Sequence, residues 1–561
     1  MTKTLIPTPE LKAIVNSRAR LLVVKAFAGT GKTTALTVFA GMRKKARILY
    51  LAYNKPIQEE AAKRFPKHVD CFTTHGLAFR DFGSVYQAAG KLGNVRPGDV
   101  MAALRLDAST AKSVLDVVNT FIYSPADEIS GDHIAPNFIG NPDLVLDRAR
   151  DLWEAMQSLP GEPGYNERIN MPHDGYFKLY ALSKPDLSQN YDIVFMDEAQ
   201  DSNDVCAQFV LGQNCIRVLV GDEHQSIYRY RGSTDALEKA AAMPGAEVFH
   251  LTTSYRFGHD VSALATALLA GFKGEALPLH GHGKQKSINP KVNKAEPYTV
   301  ICRTNAKVFA TAAALLGKKT IGFVGGVKNY PFDRLVDVQN LAVAKLGAVR
   351  DPFLRQLGSL EALTDYVKHT ADLEYGALLG IQKEYGARIP ALVAQITEAA
   401  SKFDVKDCEE KPMVELTTAH RSKGLERRQV ELADDFEDFV TEAGHPRELM
   451  GDADMEELNL LYVAATRASH ALQVNPSIAR ALSALGQTDF CFPEGTEYSP
   501  WVESLMDSKI VVRQELLSLP VARGDDDGMP DLANGIHCGL GDAPSIGALA
   551  ARESYPRSIR P

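Results

Sequence analysis

The sequence predicts an α/β protein built from two parallel-sheet blocks, each carrying a mainly helical insertion. Three observations predict this. Apolar runs of strand length recur along the chain with helical stretches between many of them, the pattern of parallel sheets covered by helices. One run passes through a glycine-rich turn into a stretch that can be helical. Residues 86–173 and 336–411 carry helical patterning without a convincing buried strand.

In chain order the strand-like runs are "RLLVVKAF", "ARILYLAY", "YDIVFMDEA", "IRVLVGD", "YTVICR", "MVELTTAH" and "ALQVNP". They place a first block in 1–85 and 174–255, and a second in 256–335 and 412–490. A length of 561 residues exceeds what one hydrophobic core supports and fits this division. The final stretch, 491–561, contains "RGDDDGMPDLANG" and reads as a poorly ordered tail.

Composition narrows the function classes. No run approaches the ~18 apolar residues of a membrane span. The N-terminus, "MTKTLIPTPE", lacks the apolar core of a signal peptide. Seven cysteines are scattered with no Cys-x-x-Cys pair, which suits reduced thiols and neither a disulfide frame nor a zinc site. A cytoplasmic, nucleoid-associated protein of bacterial or phage origin is expected. The net charge of −8 argues against a general cationic coat but leaves room for a local basic groove.

The loop "AFAGTGKT" has the Walker A pattern, with Ala26 at its first position. Ala28, Gly29, Thr30 and Gly31 would turn backbone N–H groups toward phosphate oxygens, with Thr34 following in the helix. Lys32 would reach the β- and γ-phosphates of ATP, and Thr33 would offer its hydroxyl to Mg²⁺. "YDIVFMDEAQD" is an apolar strand ending in carboxylates: Asp197 is expected to hold Mg²⁺ and Glu198 to orient or deprotonate the attacking water.

Nine segments then occur in one order: "AFAGTGKTT", "LYLAYNK", "CFTTHGLAF", "DEAQD", "LVGDEHQSIYRYRG", "LTTSYRFG", "ICRTNA", "ELTTAHRSKGLE" and "NLLYVAATRAS". Together they resemble superfamily 1 DNA helicases of the UvrD/Rep type, and in particular the helicase part of the eukaryotic F-box DNA helicase. The resemblance implies two RecA-like motor domains with ATP between them and single-stranded DNA across the top. It implies that Gln225 senses the γ-phosphate, Arg256 touches it, and Arg467 is an arginine finger from the second domain. Tyr255 would stack on adenine, and Glu426 would contact the ribose. On the DNA track it implies base stacking by Tyr230 and Tyr228, interleaved with Arg229 and Arg231, and by Tyr53 beside Asn54. Thr73, His75, Thr418 and His420 would touch phosphates or position loops.

The implied function is an ATP-driven translocase and 3′-to-5′ helicase on single-stranded and tailed duplex DNA, in repair, recombination or replication. A motor that strips recombinase or other proteins from DNA, and a DNA-sensing subunit of a phage-defence complex, are the alternatives. Two departures stand out. Residues 1–20 contain no glutamine to read adenine, and Glu10 or Leu11 takes that place. Thr34 stands where UvrD-type enzymes carry an arginine near the base. The motifs begin close to the N-terminus, so no F-box and no ubiquitin-ligase partner is expected. The tail shows no nuclease pattern.

Overall fold

The computed structural model describes residues 8–228, 232, 235–283, 292–370, 372–404 and 410–486. Its first sheet has six parallel strands: β1 (Leu21–Ala26), β2 (Ile48–Ala52), β3 (Val69–Thr73), β4 (Ile193–Met196), β5 (Ile216–Gly221) and β6 (Ala246–Leu251). Their order is β3-β2-β4-β5-β1-β6. The two-residue strands β7 (Thr253–Ser254) and β8 (His280–Gly281) pair in parallel. The second sheet contains β9 (Tyr298–Cys302), β10 (Ile321–Phe323), β11 (Val414–Thr418), β12 (Arg427–Leu432) and β13 (Ala468–Gln473). All pair in parallel, in the order β10-β11-β9-β12-β13.

Both faces of each sheet are covered, so β2, β4 and β9 are buried along their whole length and do not alternate. In β1, Leu21 and Val23 enter one core while Leu22 and Val24 enter the core on the opposite face. In β9, Tyr298, Val300 and Cys302 face one side and Ile301 the other. Edge position explains the polar strands. β3 and β6 each have one neighbour, and their side chains alternate in exposure or lie largely open.

Helices Pro97–Leu104, Ala108–Tyr123 and Pro142–Gln157 pack through Val100, Val118 and Leu152 onto the core beneath β1 and β4. Helices Phe332–Ala342, Leu360–Thr370, Leu373–Tyr385 and Ile389–Ser401 share a core with β9, β10 and β11. The first of these helices crosses position 336, where the sequence suggested an insertion begins. The two helical regions touch: Arg96 Nη1 lies 3.5 Å from Asp351 Oδ2. Gly98 packs so closely on Phe353 that a Cβ there would lie 2.3 Å from the ring. The expected C-terminal tail lies outside the described residues. Among those described, no helix is long and apolar enough to cross a membrane.

Candidate nucleotide and nucleic-acid site

The site collects at the C-terminal ends of the parallel strands, where such sheets place their ligand-binding loops. β1 runs into the phosphate loop, and Gly29 and Gly31 take left-handed φ values of 75° and 88°. A side chain at Gly29 would strike Ser254 Oγ at 2.5 Å and Arg256 Cβ at 2.8 Å, so the loop lies hard against that segment. The backbone joins them as well, Tyr255 N–H donating to Gly29 O at 3.0 Å. Thr30 Oγ1 donates to Phe27 O at 2.8 Å and braces the turn. Lys32, Thr33 and Thr34 form the first turn of helix Lys32–Met42.

β4 delivers two buried carboxylates to this loop. Asp197 accepts from Tyr50 Oη at 2.6 Å and from Glu198 N–H at 2.9 Å. Glu198 has a left-handed φ of 52° and pairs with Lys32 Nζ at 3.0 Å. Gln200 Nε2 donates to Glu198 at 2.6 Å. Burial pushes the Asp197 carboxyl above its ordinary range, with the charge of Glu198 adding to the rise. Burial also pushes Glu198 up, but Lys32 and Lys423 outweigh it and hold the group below the usual range. Burial lowers Lys32, and the surrounding Glu198, Asp222 and Asp197 more than reverse this. Adjacent buried carboxylates that resist sharing negative charge are a donor set suited to a hard divalent cation. Thr33 and Asp197 are the residues that could hold it.

Residues that follow β5, and side chains from the second sheet's side, complete the cleft. Gln225 donates to Asp222 Oδ2 at 2.6 Å and accepts from Arg467 Nη2 at 3.4 Å. Tyr462 bridges the phosphate loop and Asp222: its hydroxyl accepts from Ala28 N–H at 3.0 Å and donates to Asp222 at 3.1 Å. Arg256 donates to Thr466 O at 3.1 Å and faces Glu426 at 3.6 Å. Burial brings Arg467 down to about 9, and the neighbouring Arg256 charge adds to that. Two arginines in one buried cleft are a standing demand for an anion. Lys423 Nζ crosses the cleft to the Asp201 carboxylate and the Gln225 carbonyl.

Beyond Lys423 the cleft opens onto aromatics. Its ammonium lies 5.3 Å from the Tyr228 ring centroid. Tyr228 stacks on Tyr53, centroids 5.4 Å apart and planes 18° apart, and donates its hydroxyl to His420 O at 3.3 Å. A cavity of about 460 Å³ adjoins them, lined by Tyr53, Asn54, His75, Asn94, Tyr123 and Asp174 among others. His75 Nε2 meets Asp174 at 2.9 Å.

Against known proteins, residues 165–239 match the UvrD/REP helicase N-terminal domain. Residues 354–477 match the UvrD-like helicase C-terminal domain. The chain is 30% identical over 520 residues to F-box DNA helicase 1 of Gallus gallus, covering 86% of this chain and 50% of that protein. It is 30% identical over 516 residues to F-box DNA helicase protein 1 of Schizosaccharomyces pombe, covering 84% and 58%. The chain belongs to the UvrD/Rep helicase family. It spans about half the length of these curated relatives. A probable DNA helicase II homolog of Mycoplasma genitalium is 26% identical over 283 residues, 44% of this chain and 40% of that protein. The two relatives that match at 30% identity are eukaryotic, which runs against the expected bacterial or phage origin.

In this UvrD/Rep-type chain the structure brings Lys32, Asp197, Glu198, Gln225, Arg256, Arg467 and Glu426 into one cleft, with Tyr255 half exposed at its rim. Tyr53, Tyr228 and His420 gather at the opening. Asn54, Thr73 and Thr418 have a structural task there: each side chain accepts from a backbone N–H and caps the helix that follows its strand. Tyr230 and Arg231 lie outside the described residues. Glu10 is occupied away from any nucleotide, accepting from Thr252 Oγ1 at 2.7 Å and Thr252 N–H at 3.2 Å. Thr34 Oγ1 lies 3.5 Å from Arg64 Nη2. Sequence reasoning gave no role to Gln200, Asp201, Lys423 and Tyr462, although all stand inside the motifs it quoted.

Proposed function

We propose that the chain is a motor on single-stranded DNA: a Mg²⁺-dependent, DNA-stimulated ATPase that unwinds duplex DNA with 3′-to-5′ polarity. The observation that carries this reading is Lys423. One buried ammonium holds Asp201 beside the catalytic carboxylates, holds the backbone of Gln225, and lies over Tyr228 at the aromatic opening. A change at the DNA track therefore has a direct route to the groups around the γ-phosphate.

In this mechanism the phosphate-loop amides and Lys32 bind the β- and γ-phosphates. Mg²⁺ held by Thr33 and Asp197 would neutralise phosphate charge when bound. Glu198 orients the attacking water and takes its proton as the water oxygen bonds to the γ-phosphorus and the bond from that phosphorus to the β,γ-bridging oxygen breaks, with ADP leaving. Arg256 and Arg467 stabilise the charge that spreads over the γ-phosphoryl oxygens, a contribution of about 10³–10⁵ in rate for an arginine finger. Arg256 exchanges Glu426 for phosphate as it does so, leaving Glu426 for the ribose. The two sheet domains, 1–85 with 174–255 and 256–335 with 412–490, close on the nucleotide and reopen after hydrolysis. Tyr53, Tyr228 and Tyr230 hold bases by stacking, which tolerates any sequence.

The test is ATP hydrolysis with and without single-stranded DNA, beside unwinding of 3′-tailed and 5′-tailed duplexes. DNA-stimulated turnover with unwinding of the 3′-tailed duplex is expected. ATPase indifferent to DNA would overturn the reading, and unwinding restricted to 5′ tails would overturn its polarity.

A further inference from the structure

The phosphate loop and the carboxylates account for the charged end of a nucleotide; the base is a separate problem. Glu10, placed by the sequence where relatives carry an adenine-reading glutamine, spends its carboxylate on Thr252. Tyr255 is nonetheless fixed at the rim of the cleft, its backbone tied to Gly29 and the residue 53% exposed.

A second ring is held against it. His282 follows β8, and its imidazole centroid lies 5.6 Å from that of Tyr255 with the planes at 76°. The backbone around it is clamped. His282 N–H donates to Ser254 O at 2.7 Å, and Gly283 N–H donates to Phe257 O at 2.8 Å. The flanking glycines are sterically required. A Cβ at Gly281 would lie 2.1 Å from Gly258 O, and one at Gly283 would lie 2.6 Å from Phe257 C. Those obstacles are backbone atoms, so they cannot swing aside. The segment His-Gly-His-Gly thus packs onto the backbone of the "SYRFG" loop and presents one imidazole beside the exposed tyrosine.

We infer that His282 is the base-reading residue of this nucleotide site, meeting the edge of a purine stacked on Tyr255 and discriminating only weakly between adenine and guanine. The inference rests on the proposed reading of the cleft as an ATP site. A neutral imidazole has one donor and one acceptor nitrogen, and its tautomer decides which faces a ligand. One tautomer accepts from the 6-amino group of adenine; the other donates to the 6-carbonyl of guanine. A fixed glutamine amide would be oriented for one of them.

The experiment compares kcat/KM for ATP, GTP and the triphosphate of unsubstituted purine riboside, at saturating single-stranded DNA, in wild type, His282→Ala and His282→Gln. Fluorescent-nucleotide binding and a melting curve accompany each variant. Wild type is expected to prefer ATP over GTP by less than about tenfold, the range of one hydrogen bond. His282→Ala should raise KM for ATP and GTP about three- to tenfold with kcat unchanged, and leave the unsubstituted purine nucleotide unaffected. His282→Gln should restore ATP binding, because its amide also offers a donor and an acceptor. An active wild type in which His282→Ala leaves KM and binding of ATP and GTP unchanged overturns the inference alone. So does equal loss on all three nucleotides, or a wild type that rejects GTP about a hundredfold, far beyond one bond. A wild type without DNA-stimulated ATPase overturns the reading of the cleft itself.

Discussion

Glu198 and Asp197 are adjacent carboxylates with different surroundings, and that difference assigns their work. Asp197 is tied to Tyr50 and its own chain, whereas Glu198 faces Lys32 and Gln200. Glu198→Gln should keep nucleotide binding while turnover falls about 10²–10⁴-fold, the usual worth of a general base; paired binding and single-turnover measurements check this. Lys423 and Asp201 make a second residue-scale prediction. Their side chains are 8% and 0% exposed, so removing one partner leaves a buried charge alone. Lys423→Met should lower stability by about 3–5 kcal/mol, and adding Asp201→Asn should recover a large part of it. Denaturant melts of the single and double variants decide. The gathering of Lys32, Asp197, Glu198 and Arg467 in one cleft was legible because each stands in a motif that the sequence itself displays. Lys423 was not singled out, because its value comes from reaching across the cleft to Asp201 and Gln225, which no spacing along the chain reveals.

At the scale of elements, three strands end in the same device. Asn54, Thr73 and Thr418 each cap the helix that turns away from β2, β3 and β11. A cap and a DNA contact can be separated at Asn54. Asn54→Ala should cost about 0.5–2 kcal/mol of stability through the lost cap. Asn54→Asp keeps the cap, so it should hold stability while weakening single-strand binding, more at low salt than at high. If Asp binds DNA as the wild type does, Asn54 serves the helix alone. The same scale shows which strands the sequence revealed. β1, β2, β4, β5 and β9 are buried on both faces and read as continuous apolar runs. β6 is an edge strand whose Glu247 and Val248 lie open, and β10 is only three residues long. β12 begins "RRQ", with Arg427 paired to Glu415 and Gln429 bound to the backbone near Asn293. Polar partners hold the start of that strand, ahead of the buried Val430 and Leu432, and a hydropathy pattern does not see them.

At the scale of the whole molecule, the two helical regions meet at a tightly packed contact. Gly98 is pressed on Phe353, with Arg96 facing Asp351 beside it. Gly98→Ala should overpack this seam and destabilise by about 1–3 kcal/mol. If the two regions separate in the working cycle, the variant should also bind single-stranded DNA differently from wild type under conditions where both are fully folded. A melt alongside a binding titration distinguishes a packing defect from a shifted equilibrium.

The left-handed backbone at Glu198 reaches beyond catalysis into what kind of heritable change this chain tolerates. An L-residue in that conformation carries about 1–2 kcal/mol of strain that glycine does not. Glu198→Gly should therefore lose less stability than Glu198→Ala, because both give up the pairing with Lys32 but only glycine relieves the strain, and a pair of melting curves checks this. Among variants that lack this carboxylate, a screen that rewards heat tolerance alone would favour glycine, and only a screen that also demands hydrolysis would test what the glutamate does.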